Sequence, residues 1–213
     1  MAMVPASKIL QVVNLRDALA GNVEEGAKAL LGCHIVMGEM VGQIVETEAY
    51  TWDDPGCHAY QKVRMKNMAM YGEPGTAYVY FTYGNHWMVN VVADESGRPG
   101  AVLIRAAKPL SSIGQFRANR PLIAKDHDLL AGPGRLTKAF GIDGRHNEID
   151  LLSPLSELHI RTTDVKPEIG ISCRIGIAPG KGDELLRRYV DLNHLEWATR
   201  HSVNSRTFRG HKK

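Results

Sequence analysis

The stretch AYVYFTYGNHWMVNVV, residues 77–92, consists of two β-rich runs joined by Gly84-Asn85. Aromatic and β-branched side chains suit a pleated strand, and a Gly-Asn pair supplies the positive φ that a tight connection between antiparallel strands requires. The predicted hairpin runs Ala77 to Tyr83 and His86 to Val92, with Tyr83 beside its tip. On the first strand Tyr78 and Tyr80 face one way and Val79 and Phe81 the other, giving a Tyr-rich face and a core-like face.

Working outward, Ala101 to Ala107 continues the sheet, and His34 to Glu39 and Gly42 to Tyr50 read as earlier strands. Residues 15–32 have a helical spacing of Leu19, Ala20, Ala27, Leu30 and Leu31, with Gly32 placed to end it. Asp53-Asp54-Pro55-Gly56 is a turn, and a short helix is expected before Pro74-Gly75. Beyond the hairpin, helices are expected around 109–119 and 126–140 and strands at Leu158 to Thr163 and Ile171 to Ile177, followed by a less patterned C-terminus. Strands and helices mix without βαβ alternation. The expected fold is α+β: one domain over 1–213, with a mixed, mostly antiparallel, curved sheet flanked by helices and a protruding hairpin.

Composition bounds the function classes. A chain of 213 residues with 44% hydrophobic and 23% charged residues and a mean hydropathy of −0.22 is globular in character. No apolar run approaches the roughly 20 residues of a membrane span, and the N-terminus has no basic segment leading into an apolar one. A cytoplasmic protein is expected, not a secreted one, or a nuclear one if the source is eukaryotic. Cys33, Cys57 and Cys173 are too few and too scattered for a disulfide framework or paired zinc ligands. The net charge of +3 conceals a division: residues 1–100 carry 7 basic and 11 acidic side chains, residues 101–213 carry 19 and 12. The last of these form a basic run from Arg200 to Lys213, compatible with a polyanionic partner or with a solvated tail.

The segment IVETEAY, residues 44–50, is unusual for a strand. A two-residue period puts Ile44, Glu46, Glu48 and Tyr50 on one face and Val45, Thr47 and Ala49 on the other. Two carboxylates and an aromatic then stand in a row, either as a solvated outer face or as a general base beside a flat stacking surface. Periodicity does not choose between Glu46 and Glu48. Nine of the 14 aromatic residues, and six of the seven tyrosines, fall between positions 50 and 87. Tyrosine combines a stacking ring with a polar tip that tolerates water, so this clustering suits a planar ligand. Tyr83 at a hairpin tip is either a wedge between the bases of a duplex or a contact to a neighbouring segment.

VETEAY, His58 eight residues after its Tyr, NMAMYGEPGTAYVYFTYGNHWMVNVV, VLIRA and GPGRLTKAFGI together resemble the alkyladenine DNA glycosylase family, the mammalian-type 3-methyladenine glycosylases. The resemblance covers about residues 25–142, with RIGI at 174–177 as an echo. It implies that Glu48 is the general base that activates a water and that Arg105 helps hold that water. Tyr50 and His58 would stack on one face of an extruded base and Tyr80 on the other, with the His58 backbone reading the base edge. Asn90 would screen the minor-groove edge, and Tyr83 would fill the gap left in the duplex. The implied reaction is base excision: a damaged purine is flipped from double-stranded DNA and its N-glycosidic bond hydrolysed by water, leaving an abasic site without strand cleavage. No cofactor or metal is implied, and a monomer without membrane contact is expected. The sequence departs from the pattern at Lys66-Asn67, where Arg-Asn would stand, and at Arg135, where Lys would stand; residues 181–213 match poorly.

Other chemistries fit less well. Glu46, Glu48, Cys57, His58 and His86 lack a metal-ligand spacing, and the adjacency of Cys57 and His58 does not orient a base onto a thiol. The alternative class is a non-catalytic nucleic-acid-binding module, which would use the aromatic hairpin but would have no need of a Glu48–Arg105 pair.

Overall fold

The computed structural model describes residues 14–82 and 84–200. Tyr83 and the basic run 201–213 lie outside the described residues. Eight strands form one sheet: β1 His34–Met37, β2 Met40–Tyr50, β3 Ala77–Thr82, β4 His86–Val92, β5 Ala101–Pro109, β6 Leu158–Arg161, β7 Ile169–Ser172 and β8 Arg188–Asp191. The order is β3-β4-β5-β2-β1-β6, with β8 joined to β2 and β7 to β8, and every pairing between these strands is antiparallel. Strand β2 is long enough to serve three neighbours. It pairs with β5 along one edge, and on the other with β1 near its start and with β8 at Glu46 to Glu48.

Helices α1 Leu15–Gly21, α2 Val23–Ala29, α3 Ile113–Asn119 and α4 Pro133–Phe140 supply the rest of the main core. Leu19, Ala27, Leu30, Phe116, Leu136 and Phe140 pack with Val79, Val89, Val91, Val102 and Ile104 of the sheet. The opposite face of β3, β4 and β5 presents Tyr78, Tyr80, Asn90, Leu103 and Arg105 to a cavity. The expected alternation therefore separates a core face from a site face. Phe81 departs from it, being 51% exposed and packed on Trp87 with ring centroids 5.0 Å apart, because β3 there has run past the edge of the core.

The hairpin forms as predicted, with Thr82 paired to His86 and the positive φ, +70°, on Gly84. The single helix expected over 15–32 is two, broken where Asn22 is extended (φ −167°) and its side chain accepts the N–H groups of Glu24 and Glu25. Asparagine gains more by capping a new helix than by continuing an old one. The helix expected over 126–140 is likewise divided, into a 3₁₀ turn at Asp126–Asp128 and α4, which starts with Pro133 in its first turn. Gly134 permits the approach of α4 to the hairpin, since a Cβ there would meet His86 at 2.7 Å. The strand expected over Ile171 to Ile177 ends at Ser172, and β8 lies in the region that showed little pattern. Among the described residues, no helix is long and apolar enough to cross a membrane.

Candidate active site

The β2–β5 register shifts on each side of Glu46: Ile44 pairs with Ala107, Glu46 with Ala106 and Thr47 with Ile104. The extra residues are Val45 on β2 and Arg105 on β5, so the two strands carry compensating bulges. This corrects the simple alternation of residues 44–50. Ile44 turns into the main core beside Ala49, while Glu46, Glu48 and Tyr50 turn to the other side. Sequence period alone carries no sign of a bulge, since its cause is the pairing partner.

Arg105 lies between the two carboxylates. Its Nε donates to Glu46 Oε1 at 2.9 Å and its Nη1 to Glu48 Oε2 at 3.1 Å. Glu48 Oε2 also accepts from the Tyr50 hydroxyl at 2.8 Å, and Oε1 from the Ile175 N–H at 2.7 Å. Both carboxylates are fully buried. Glu46 receives in addition Arg188 Nε at 2.7 Å and the Thr199 N–H at 2.6 Å. Burial alone would raise the Glu46 carboxyl, but the two guanidiniums and the Thr199 N–H outweigh it and hold it down to about 2. Burial opposes the charge of Arg105, yet Glu48 and Glu46 more than offset it and keep the guanidinium protonated. The Tyr50 hydroxyl is pushed well above its ordinary value by burial and by the Glu48 charge, so it stays a donor.

Tyr50, Arg105 and Ile175, the three donors to Glu48, all line a cavity of about 540 Å³ with His58, Tyr78, Tyr80 and Asn90. Glu48 thus stands behind its own donors at the cavity wall. The buried Arg174 braces the other side of Tyr50. Its guanidinium lies 4.6 Å from the Tyr50 ring centroid and is paired with Asp54, donating also to the Ala49 carbonyl. His58 Nδ1 is 2.9 Å from the Tyr78 hydroxyl, and its pKa is lowered by burial and then by Lys66. His58 and Tyr80 are in edge contact, with centroids 4.5 Å apart. A planar group held between two rings separates them by about 7 Å, twice a contact distance of ~3.5 Å, so these two rings must part to hold one between them. Asn90 Nδ2 donates to the Tyr78 carbonyl at 3.0 Å, which fixes its amide.

Glu48, Arg105, Tyr50, His58, Tyr80 and Asn90 therefore meet at one place; Tyr83 lies outside the described residues. Four contributors have no role assigned from the sequence, although RIGI at 174–177 and Lys66-Asn67 stand out there. Arg188 arrives on β8, Arg174 and Ile175 from the turn after β7, and Asn67 donates to the His58 and Lys62 carbonyls at 2.9 Å each while accepting the Arg64 N–H. Cys57 is buried and its thiol pushed up to about 11 by that burial, which opposes a thiolate nucleophile. His86 lies in a separate groove against α4. Among the described residues, no three His, Cys, Asp or Glu side chains are grouped to hold a metal ion.

The family described as Methylpurine-DNA glycosylase (MPG) matches residues 17–194, which includes all of these groups except Thr199. The chain belongs to that family. It is similar to a Francisella tularensis protein (strain FSC 198), 41% identical over 188 residues, covering 84% of this chain and 96% of that one. A Bradyrhizobium diazoefficiens protein is 44% identical over 176 residues, covering 82% and 86%. A third, from Rhodopseudomonas palustris (strain BisB18), is 39% identical over 186 residues, covering 87% and 90%. Each carries the name "Putative 3-methyladenine DNA glycosylase". This member of the family is thus a DNA glycosylase, a hydrolase of N-glycosyl bonds in DNA repair, which sets aside the non-catalytic binding module.

Proposed function

We propose that the protein excises 3-methyladenine and related damaged purines from double-stranded DNA by flipping the nucleotide into the 540 Å³ cavity and hydrolysing its N-glycosidic bond with a water activated by Glu48. The observation that carries this reading is the hydrogen-bond count at Glu48. Among the described residues Oε2 accepts two donors and Oε1 one, so Oε1 keeps a lone pair for a water entering between Tyr50, Arg105 and Ile175. A carboxylate there polarises the water and offsets the positive charge that develops on the sugar as the bond breaks. Alkylated purines with a cationic ring are better leaving groups and are attracted to tyrosine faces.

Tyr50, His58 and Tyr80 supply the stacking surface, and admission of the base parts His58 from Tyr80. Asn90, fixed through Nδ2, is assigned the steric screen against the amino group of a normal guanine. Tyr83 is assigned the wedge role at the hairpin tip. Duplex binding is supported by cationic groups on two sides of the cavity. Lys62, Arg64, Lys66 and Lys181 line a hollow beside His58, and Arg120, Lys125, Arg135, Lys138 and Arg200 line the groove along α4. A Schiff-base lysine is one stripped of water, whereas Lys181 at the cavity rim is exposed, which favours a water nucleophile and an intact strand. One domain acting on one lesion needs no partner copy, so a monomer is assigned.

The test is a panel of duplexes carrying 3-methyladenine, 7-methylguanine or hypoxanthine, with released base and strand integrity followed separately. Free base and an intact abasic strand are expected, together with failure to trap the enzyme on DNA with borohydride. Strand cleavage with a trapped adduct would overturn the water mechanism, and inertness toward every damaged purine would overturn the substrate assignment.

A further inference from the structure

Arg188, Glu46, Arg105 and Glu48 form a buried row of alternating charge across β8, β2 and β5, and the proposed chemistry uses only the last two. Glu46, like Glu48, is fully buried and does not itself line the cavity, but only one of its donors, Arg105, does so, whereas all three donors to Glu48 do. Arg188 is also fully buried. Its Nη1 donates to Ser172 Oγ at 3.0 Å, while its Nη2 has no hydrogen-bond partner among the described residues. A buried ion pair with an unsatisfied N–H is poor value for stability alone, because well-packed apolar groups would serve as well or better.

The geometry gives the pair another use. Glu46 takes Arg105 by Nε, which fixes the guanidinium plane and delivers Nη1 to Glu48 Oε2. Arg105 therefore divides its charge between two carboxylates, and Arg188 determines how much of it Glu46 demands. Building on the reading of Glu48 as the base, we propose that Glu46 and Arg188 are positioning residues that hold Arg105 against Glu48 and set the proton affinity of its carboxylate. The other charged and titratable groups facing Glu48 are Tyr50 on the same strand and Arg174, paired with Asp54, behind Tyr50; His58 and Lys181 share the cavity. These groups are unchanged when Glu46 or Arg188 is replaced. Glu46 and Arg188 have opposite charges, so their removal must move Glu48 in opposite directions. A pair without charge coupling to Glu48 would move it in neither, and the plateau rate of a variant that keeps the charge reports positioning.

The test is single-turnover release of 7-methylguanine, a cationic base that leaves without general-acid help, followed from about pH 4 to 8 so that the acid limb reports the base alone. Glu46→Gln removes an anion near Glu48, and the acid limb is expected to move down by about one pH unit as the plateau rate falls about ten-fold. Arg188→Met removes a cation, and the limb is expected to move up by about one pH unit. Half-saturating DNA concentrations stay within about two-fold of wild type, since neither residue touches the base. Unmoved limbs, or limbs moving the same way, would overturn the proposal. If either variant fails to fold by circular dichroism, Arg188→Lys decides. It keeps the charge and loses the Nε contact, so the limb stays and the plateau falls, whereas an unchanged plateau would refute positioning. Glu48→Gln runs alongside. If it retains the wild-type rate, the assignment of the base fails, whatever the Glu46 and Arg188 variants do.

Discussion

His58 is the one titratable side chain of the cavity whose ordinary pKa lies near neutrality, and burial, followed by the Lys66 charge, pulls it down. In the proposed stacking role it would meet a base as a neutral ring, adding no repulsion toward a cationic purine. Proton NMR should show its titration midpoint below the usual 6.5, and Lys66→Ala should raise that midpoint by a few tenths of a unit. A midpoint unmoved by the substitution would remove Lys66 from this environment. Glu46 titrates at the other extreme. Its folded value of about 2 lies below the ordinary 4.5, so its stabilisation is fully present above 4.5 and is lost as pH falls toward 2. With of order a few kcal/mol at stake, the urea midpoint of the wild type should drop steeply between those values. The Glu46→Gln variant, weaker at neutral pH, should lose less over the same interval. Equal slopes would deny Glu46 its depressed value.

At the scale of elements, the site depends on how the loop after β2 is tied to the sheet. Asn67 is fully buried and clasps His58, Lys62 and Arg64 with three hydrogen bonds. Asn67→Ala leaves two carbonyls and an N–H to find other partners, at a cost of about 2–3 kcal/mol read from thermal or urea unfolding. Base release should slow beyond what the folded fraction explains, because His58 loses its anchor. Strand β2 shows what was legible in the sequence. The alternation of Glu46, Glu48 and Tyr50 was visible along residues 44–50, and so was the hairpin of Ala77 to Val92. The bulges at Val45 and Arg105 were not, because a bulge is defined by the partner strand and not by the strand's own period. The roles of Arg188 and of Arg174, the first residue of RIGI, were not legible for a related reason. The two arginines lie 142 and 120 residues from their carboxylate partners, in short segments whose position is set by tertiary pairing. A buried Arg looks like any surface Arg until its carboxylate is found. Asn22 and Pro133 did carry a readable signal, a cap and a helix start inside what looked like single helices.

At the scale of the whole molecule, the charge division seen in the sequence is only part of the pattern. The second half of the chain contributes Arg120, Lys125, Arg135 and Lys138 along α4, but the acidic first half contributes Lys62, Arg64 and Lys66 on the other side of the cavity. The fold thus brings cations from both halves to one opening. If both flanks hold phosphates, Lys62→Ala with Lys66→Ala, and Arg135→Ala with Lys138→Ala, should each lower the slope of log affinity against log salt by about 1–2. A flank whose removal leaves the slope unchanged does not touch the backbone. The sheet serves both tasks: one face is packed against the helices, and the other carries the cavity, with Glu48 behind the wall formed by Tyr50, Arg105 and Ile175.

The central claim is that Glu48 is the base that activates water, and its most direct test is single-turnover excision of 3-methyladenine from duplex DNA by Glu48→Gln. Glutamine preserves the size of the side chain and removes the charge. The account predicts a rate lower by about 10³-fold, at the middle of the range for a lost general base, with affinity for the lesion duplex retained. A Glu48→Gln enzyme that releases the base at the wild-type rate would contradict it.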